Sequence, residues 1–301
     1  MKPNFLVAGV AKCGTTSLFF YLEQHPEICI PKKETFYFIA DRYQHVSDDV
    51  RGRRDASRII STQDQFDALY EKCTQKCIGE ISTCYAYYYQ DAIPRIKRTL
   101  GDLPIIIIIR HPVERLLSGY KHFLRMNRED LSFDEALAAE DQRKKDRWDF
   151  MWQYKGLGFY ADAIEAYQNN FSRVKVILQE DLINNPDNCL KDIYQFIGVD
   201  TNFKTDTSIK YNISDPQSDN IWFKYFFSNK KIKAILKPLV LKVISQKRKS
   251  KIMHSFRKPN QEAAFKLDKV RGNKLLDMYT ADIKRVEKLI QRDLSHWLVQ
   301  K

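Results

Sequence analysis

What this chain lacks narrows the field before any motif is read. No apolar run approaches the roughly 18 residues that a bilayer-spanning helix needs. The strand-like run Phe5-Leu6-Val7-Ala8-Gly9-Val10 stands too close to Met1, and is too short, to be the apolar stretch of a signal peptide. The expectation is a cytoplasmic protein. Glycine and proline number ten each in 301 residues, and with serine they form no tract that would mark a linker, so residues 1–301 read as a single domain. Cysteine is scarce as well. Cys13, Cys29, Cys73, Cys77, Cys84 and Cys189 are too scattered for a disulfide framework and read as reduced thiols. Cys73 and Cys77 have no second pair or histidine cluster at ligand spacing, so no metal is expected.

Acidic residues are missing from one long stretch. Between Asp219 and Glu262 there is none, while twelve lysines and arginines fall there, among them Lys247, Arg248, Lys249, Lys251, Arg257 and Lys258. That count equals the whole formal excess of +12. The rest of the chain is therefore balanced, and its basic character is local. The segment at about 221–258 reads as a basic helical insertion or lid, with a membrane contact, a docking face for an acidic polymer and a plain solvated helix face as the other readings. An acidic or extended carbohydrate is the preferred partner. No nucleic-acid-binding motif accompanies the charge, so nucleic acid is not expected.

With 44% apolar residues the chain can bury a large core. Strand-like runs at Phe5–Gly9, Cys77–Ile81, Ile105–Ile109 and Val174–Leu178 alternate with helical patterns at Thr15–Gln24, Pro112–Met126, Pro186–Ile197 and about Leu267–Leu289. This alternation predicts an α/β fold with a central parallel sheet flanked by helices. Five consecutive isoleucines, 105–109, are apolar on both faces, as a central strand should be.

Ligands of such sheets bind beyond the carboxyl ends of the strands. Two loops qualify. Gly9-Val10-Ala11-Lys12-Cys13-Gly14-Thr15-Thr16-Ser17 leaves the first strand and opens a helix, whose amino terminus favours a phosphate. Unlike GxxxxGK[ST], its lysine precedes the second glycine and Thr15 holds the usual lysine place. The second loop, Arg110-His111-Pro112-Val113-Glu114-Arg115-Leu116-Leu117-Ser118-Gly119-Tyr120, follows the isoleucine strand. Arg110 can fork onto phosphate oxygens, with Arg115 and Ser118 one turn apart on the following helix.

The first loop resembles the P-K-x-G-T-T/S-x-L motif of the sulfotransferases that use 3′-phosphoadenosine-5′-phosphosulfate (PAPS), with Ala11 in place of proline. The second resembles the same family's R-x-P-x-x-R-x-x-S-x-Y motif. In motif style the chain is closest to bacterial and glycosaminoglycan-type members. The likeness runs on through Phe159–Asp162, Val176–Leu182 and Ile193–Val199.

It implies a P-loop-like three-layer fold and sulfuryl transfer to an acceptor hydroxyl or amine, with 3′,5′-diphosphoadenosine as product. It implies donor binding by Lys12, Cys13, Gly14, Thr15, Thr16, Ser17, Arg110 and Ser118, with Arg257 and Lys258 in a closing basic loop. Lys33-Glu34-Thr35-Phe36-Tyr37-Phe38 resembles the segment carrying the general base of the glycosaminoglycan branch, which makes Glu34 the candidate base and Lys33 its helper. The cytosolic branch uses a histidine, for which His111 and His122 stand in reserve. Ser82 and Tyr85, in Glu80-Ile81-Ser82-Thr83-Cys84-Tyr85, fall at that family's acceptor side. The acceptor expected is a carbohydrate, a lipid or small-molecule hydroxyl being the alternative. An ATP-dependent kinase is disfavoured by the displaced lysine.

Overall fold

The computed structural model describes residues 1–43, 59–208 and 267–299. Internal contacts divide the chain into two units, Met1–Ile209 with Leu267–Lys301, and Lys210–Lys266. The architecture below belongs to the first. The basic segment at about 221–258, with Arg257 and Lys258, lies outside the described residues.

Five parallel strands form one sheet: β1 (Phe5–Val7), β2 (Ile28–Cys29), β3 (Cys77–Ile81), β4 (Ile105–Ile109) and β5 (Val174–Leu178), in the order β2-β3-β1-β4-β5. Every isoleucine of β4 is buried, because helices cover both faces of a central parallel strand. β4 pairs with β5 along its whole length, from Ile105 opposite Val174 to Ile109 opposite Leu178. The edge strand β2 is two residues long, too short for a periodic signal, and its partner in β3 alone defines it.

The described helices are α1 (Thr15–Glu23), α2 (Gln63–Tyr70), α3 (Tyr89–Leu100), α4 (Pro112–Arg125), α5 (Phe133–Ala138), α6 (Glu140–Lys145), α7 (Ala161–Asn170), α8 (Gln179–Asn184), α9 (Pro186–Ile197) and α10 (Lys269–Ile290). Local chemistry sets several boundaries. Thr62 and Gln65 form a capping box at the start of α2, and proline opens both α4 and α9. The C-terminal α10 is stapled to α7 by a buried carboxylate: Asp282 accepts from the amides of Tyr160 and Ala161, at 2.8 and 3.1 Å, and so caps α7 from outside.

One sequence expectation is corrected here. Cys29 and Cys73 are joined in a disulfide, with Cα atoms 5.9 Å apart, while Cys13, Cys77, Cys84 and Cys189 are buried and form no disulfide. The cause is strand register. Cys29 pairs with Ile78 across the β2–β3 ladder, which carries the approach to β3 alongside the end of β2. Forty-four residues separate the two cysteines in sequence, so spacing gave no sign of the pairing. Disulfides persist chiefly in oxidising surroundings.

Candidate active site

β1 and β4 are neighbours, so the loops that leave them lie side by side: Val10 donates to the carbonyl of Ile108, and Ile108 to that of Gly9. The turn after β1 needs unusual backbone. Gly9 has φ 140, and a Cβ there would stand 2.7 Å from the carbonyl oxygen of Thr83. Lys12 is left-handed at φ 69. Gly14, at φ 94, is the N-cap of α1 and supplies no side chain to its amides, and the first turn of that helix carries no acid. A helix start with neither cap nor carboxylate is suited to an anion.

Lys12 is the clearest electrostatic feature. Its ammonium is brought down to about 8, first by burial and then by the charges of Arg125, Arg110, Arg115 and Lys33. Five cations thus converge, and Lys12 bears the strain of their mutual repulsion. Such a cluster is stabilised by a polyanion, which is the chemical demand of a phosphate-bearing donor.

In the second loop, Arg110 is half-buried and pairs with Glu114 at 3.2 Å, while its carbonyl accepts from the Tyr160 hydroxyl at 2.8 Å. Ser118 is half-buried on α4. Arg115 is wholly buried, its Nη2 donating to the carbonyl of Tyr154 while Nε and Nη1 have no partner. It therefore acts on the loop as a charge from beneath rather than sharing the open face with Ser118. Burial pushes the Cys13 thiol up to about 11, making it a packing group under the loop. His111 is tied to the carbonyl of Trp297 at 3.0 Å and its ring packs against that indole. His122 is half-buried on α4, one turn beyond Ser118.

The acceptor side is built on the end of β3. Lys33 bridges to Ile81, and the Glu34 amide donates to the Ile81 carbonyl at 2.8 Å. The Glu34 carboxylate is held at both oxygens. Lys33 Nζ donates to Oε1 at 2.6 Å, and the amide and hydroxyl of Thr83 donate to Oε2 at 3.2 and 3.0 Å. Side-chain exposures of 19% for Lys33 and 22% for Glu34 leave both open enough to meet a ligand. Because Lys33 also depresses Lys12 and Thr83 abuts Gly9, the Glu34 segment and the loop after β1 lie side by side.

Ser82 and Tyr85 were expected at the acceptor, yet both are fully buried and hydrogen-bonded to Glu80 at 2.9 Å. Their place is beneath the Glu34 segment. The aromatic run that follows divides between two duties. Tyr85 is core, whereas Tyr87 and Tyr88 are half-buried and line an open cavity of about 330 Å³ with Arg42, Lys144, Arg147 and Trp148. Thr83, which holds the carboxylate, was missed in sequence; a threonine at a strand end carries no signal of its own.

Residues 3–203 match the sulfotransferase family. The chain belongs to the sulfotransferase family. A sulfotransferase from Alicyclobacillus acidocaldarius has a similar structure, with a TM-score of 0.74 and 29% identity over 99% of both chains. Its likeness agrees with the parallel-sheet, P-loop-like architecture described above. The membrane-associated sulfotransferase kil1 of Dictyostelium discoideum is 35% identical over 121 residues, 40% of this chain and 23% of that protein. Heparan sulfate glucosamine 3-O-sulfotransferase 3A1 of Mus musculus is 25% identical over 199 residues, 65% of this chain and 46% of that protein. The chain thus spans less than half the length of these two relatives.

Proposed function

We propose that this sulfotransferase moves a sulfuryl group from PAPS to a hydroxyl or amine of a carbohydrate by in-line displacement. The observation that carries the reading is a buried Lys12 under the charge of neighbouring cations, one of which, Lys33, is also among the three donors that hold the Glu34 carboxylate in place. PAPS supplies an activated sulfuryl group on a good leaving group. Lys12, Gly14, Thr15, Thr16 and Ser17 would hold its 5′ side, and Arg110 and Ser118 its 3′-phosphate. Lys12 would neutralise charge growing on the leaving oxygen, and Glu34 would take the acceptor proton.

A carbohydrate acceptor is supported by the cavity beside Tyr87 and Tyr88, where these rings and Trp148 can stack on a sugar face and Lys144, Arg147, Gln153 and Asp41 can bond its polar groups, Arg42 being paired with Asp91. The heparan sulfate enzymes among its relatives point the same way. The proposed location is cytoplasmic, with peripheral membrane contact through 221–258. No described helix is long and apolar enough to cross a membrane.

Two measurements test the reading. The protein should be retained on immobilised 3′,5′-diphosphoadenosine and released by that nucleotide but not by ATP; release by ATP alone would favour a kinase. With radiolabelled PAPS, label should pass to N-desulfated heparin in preference to phenols or sterols. Transfer to the small hydroxyl compounds alone would replace the carbohydrate reading.

A further inference from the structure

Glu80 is the least expected group in the fold. It lies on β3 opposite Leu6 of β1, wholly buried, and burial raises its carboxyl above the usual range. Its four hydrogen-bond partners are all hydroxyls. Oε1 accepts from Thr35 at 2.6 Å, Ser82 at 2.9 Å and Tyr85 at 2.9 Å, and Oε2 accepts from Tyr70 at 2.7 Å. An apolar residue of like volume would fill this place at less cost in desolvation. What the carboxyl does that an apolar residue could not is join two particular chain segments.

Those segments are the two arms that hold Glu34. Thr35 follows Glu34 directly, and Ser82 precedes Thr83, whose amide and hydroxyl both donate to Glu34. The same hydroxyls fasten the backbone beyond: Phe36 donates to Ser82 Oγ at 3.3 Å, Tyr37 to Thr35 Oγ1 at 3.3 Å and Phe38 to the Tyr85 hydroxyl at 3.4 Å. Glu34 and Phe36, on either side of Thr35, are left-handed at φ 63 and 59. Two such residues so close together persist only where neighbouring contacts over-determine them. The one residue between them is bonded to Glu80.

We infer that Glu80 is a positioning residue: it clamps Thr35 to Ser82 from beneath and thereby fixes the Glu34 carboxylate against Thr83. The inference rests on the reading of Glu34 as the acceptor base for its catalytic consequence, though not for its structural one.

Four variants separate this clamp from a merely structural role. Thr35→Val and Ser82→Ala each remove a hydroxyl from an arm, Tyr70→Phe removes one that touches neither arm, and Glu80→Gln alters the hub. With PAPS and N-desulfated heparin as probes, Thr35→Val and Ser82→Ala should lower kcat by about 10–100-fold, the scale of a small misplacement of a reacting group. Affinity for 3′,5′-diphosphoadenosine should hold within about twofold, because the phosphate loop is untouched. Tyr70→Phe should stay within about threefold of wild type in both. Glu80→Gln should add no loss in a Glu34→Gln background, since it acts through that residue.

Hydrogen exchange at the Thr83 amide needs no acceptor and should quicken in Thr35→Val and Ser82→Ala but not in Tyr70→Phe. Equal damage from Tyr70→Phe and Thr35→Val would overturn the clamp, as would unchanged kcat and unchanged exchange in the two arm variants. Wild-type turnover in Glu34→Gln would instead remove the base assignment, with Thr83 exchange still deciding whether Glu80 holds Glu34.

Discussion

Thr83 faces Gly9 with its carbonyl and Glu34 with its amide and hydroxyl: a Cβ on Gly9 would come within 2.7 Å of the carbonyl oxygen, and the two donors reach Oε2 of Glu34 at 3.2 and 3.0 Å. One residue at the end of β3 therefore touches both the turn after β1 and the carboxylate. The in-line transfer proposed above needs these two held in fixed relation.

Gly9→Ala should test this contact. The added methyl meets backbone and must adopt φ 140, a conformation closed to alanine without strain. We expect a stability loss of roughly 1–3 kcal/mol, read as a lower denaturant midpoint, together with loss of both nucleotide affinity and turnover. A variant with normal midpoint and normal affinity would show that the turn can open without disturbing Thr83.

Lys12→Ala should leave the circular dichroism spectrum intact and lower kcat by the equivalent of about 2.7–4 kcal/mol, the usual worth of one donor aimed at developing charge. Turnover within a few-fold of wild type would remove Lys12 from the transition state.

The lowered ammonium also has a pH signature. With the folded value near 8 against an ordinary 10.5, the folded state favours the neutral amine more than the unfolded chain does. The cost is full below about pH 8 and fades as pH rises towards 10.5. A bound polyanion restores the charged form. Binding of 3′,5′-diphosphoadenosine at pH 8 should therefore take up protons, measurable by calorimetry in buffers of different ionisation enthalpy, and affinity should fall as pH climbs further. Uptake that survives in Lys12→Ala would assign the proton elsewhere.

Arg110→Ala should weaken PAPS far more than adenosine 5′-phosphosulfate, which lacks the 3′-phosphate, because only the former loses a charge-assisted contact. Equal losses would mean that Arg110 serves chiefly to hold Glu114.

Cys73→Ser should lower stability by roughly 2–4 kcal/mol through the freed loop of the unfolded chain, shifting the thermal midpoint downward, with turnover changed little at temperatures where the variant stays folded. An unchanged midpoint with and without reductant would show the bond absent in solution.

Sequence alone determined the strands and helices that repeat over several residues, since burial on both faces of β4 and the amphipathic spacing of α9 are local patterns. It also singled out both loops proposed to hold the donor, because Lys12 with Gly14, and Arg110 with Ser118, suit phosphate by residue type and spacing. Glu34 was legible only through resemblance to a family segment. Tertiary structure decided the rest, for one physical reason: parallel strands pair at long range, so their register brings together residues that no spacing relates. That register joined Cys29 to Cys73, set Thr83 between Gly9 and Glu34, turned Ser82 and Tyr85 inward to a buried Glu80, and gathered Arg125, Arg110, Arg115 and Lys33 around Lys12.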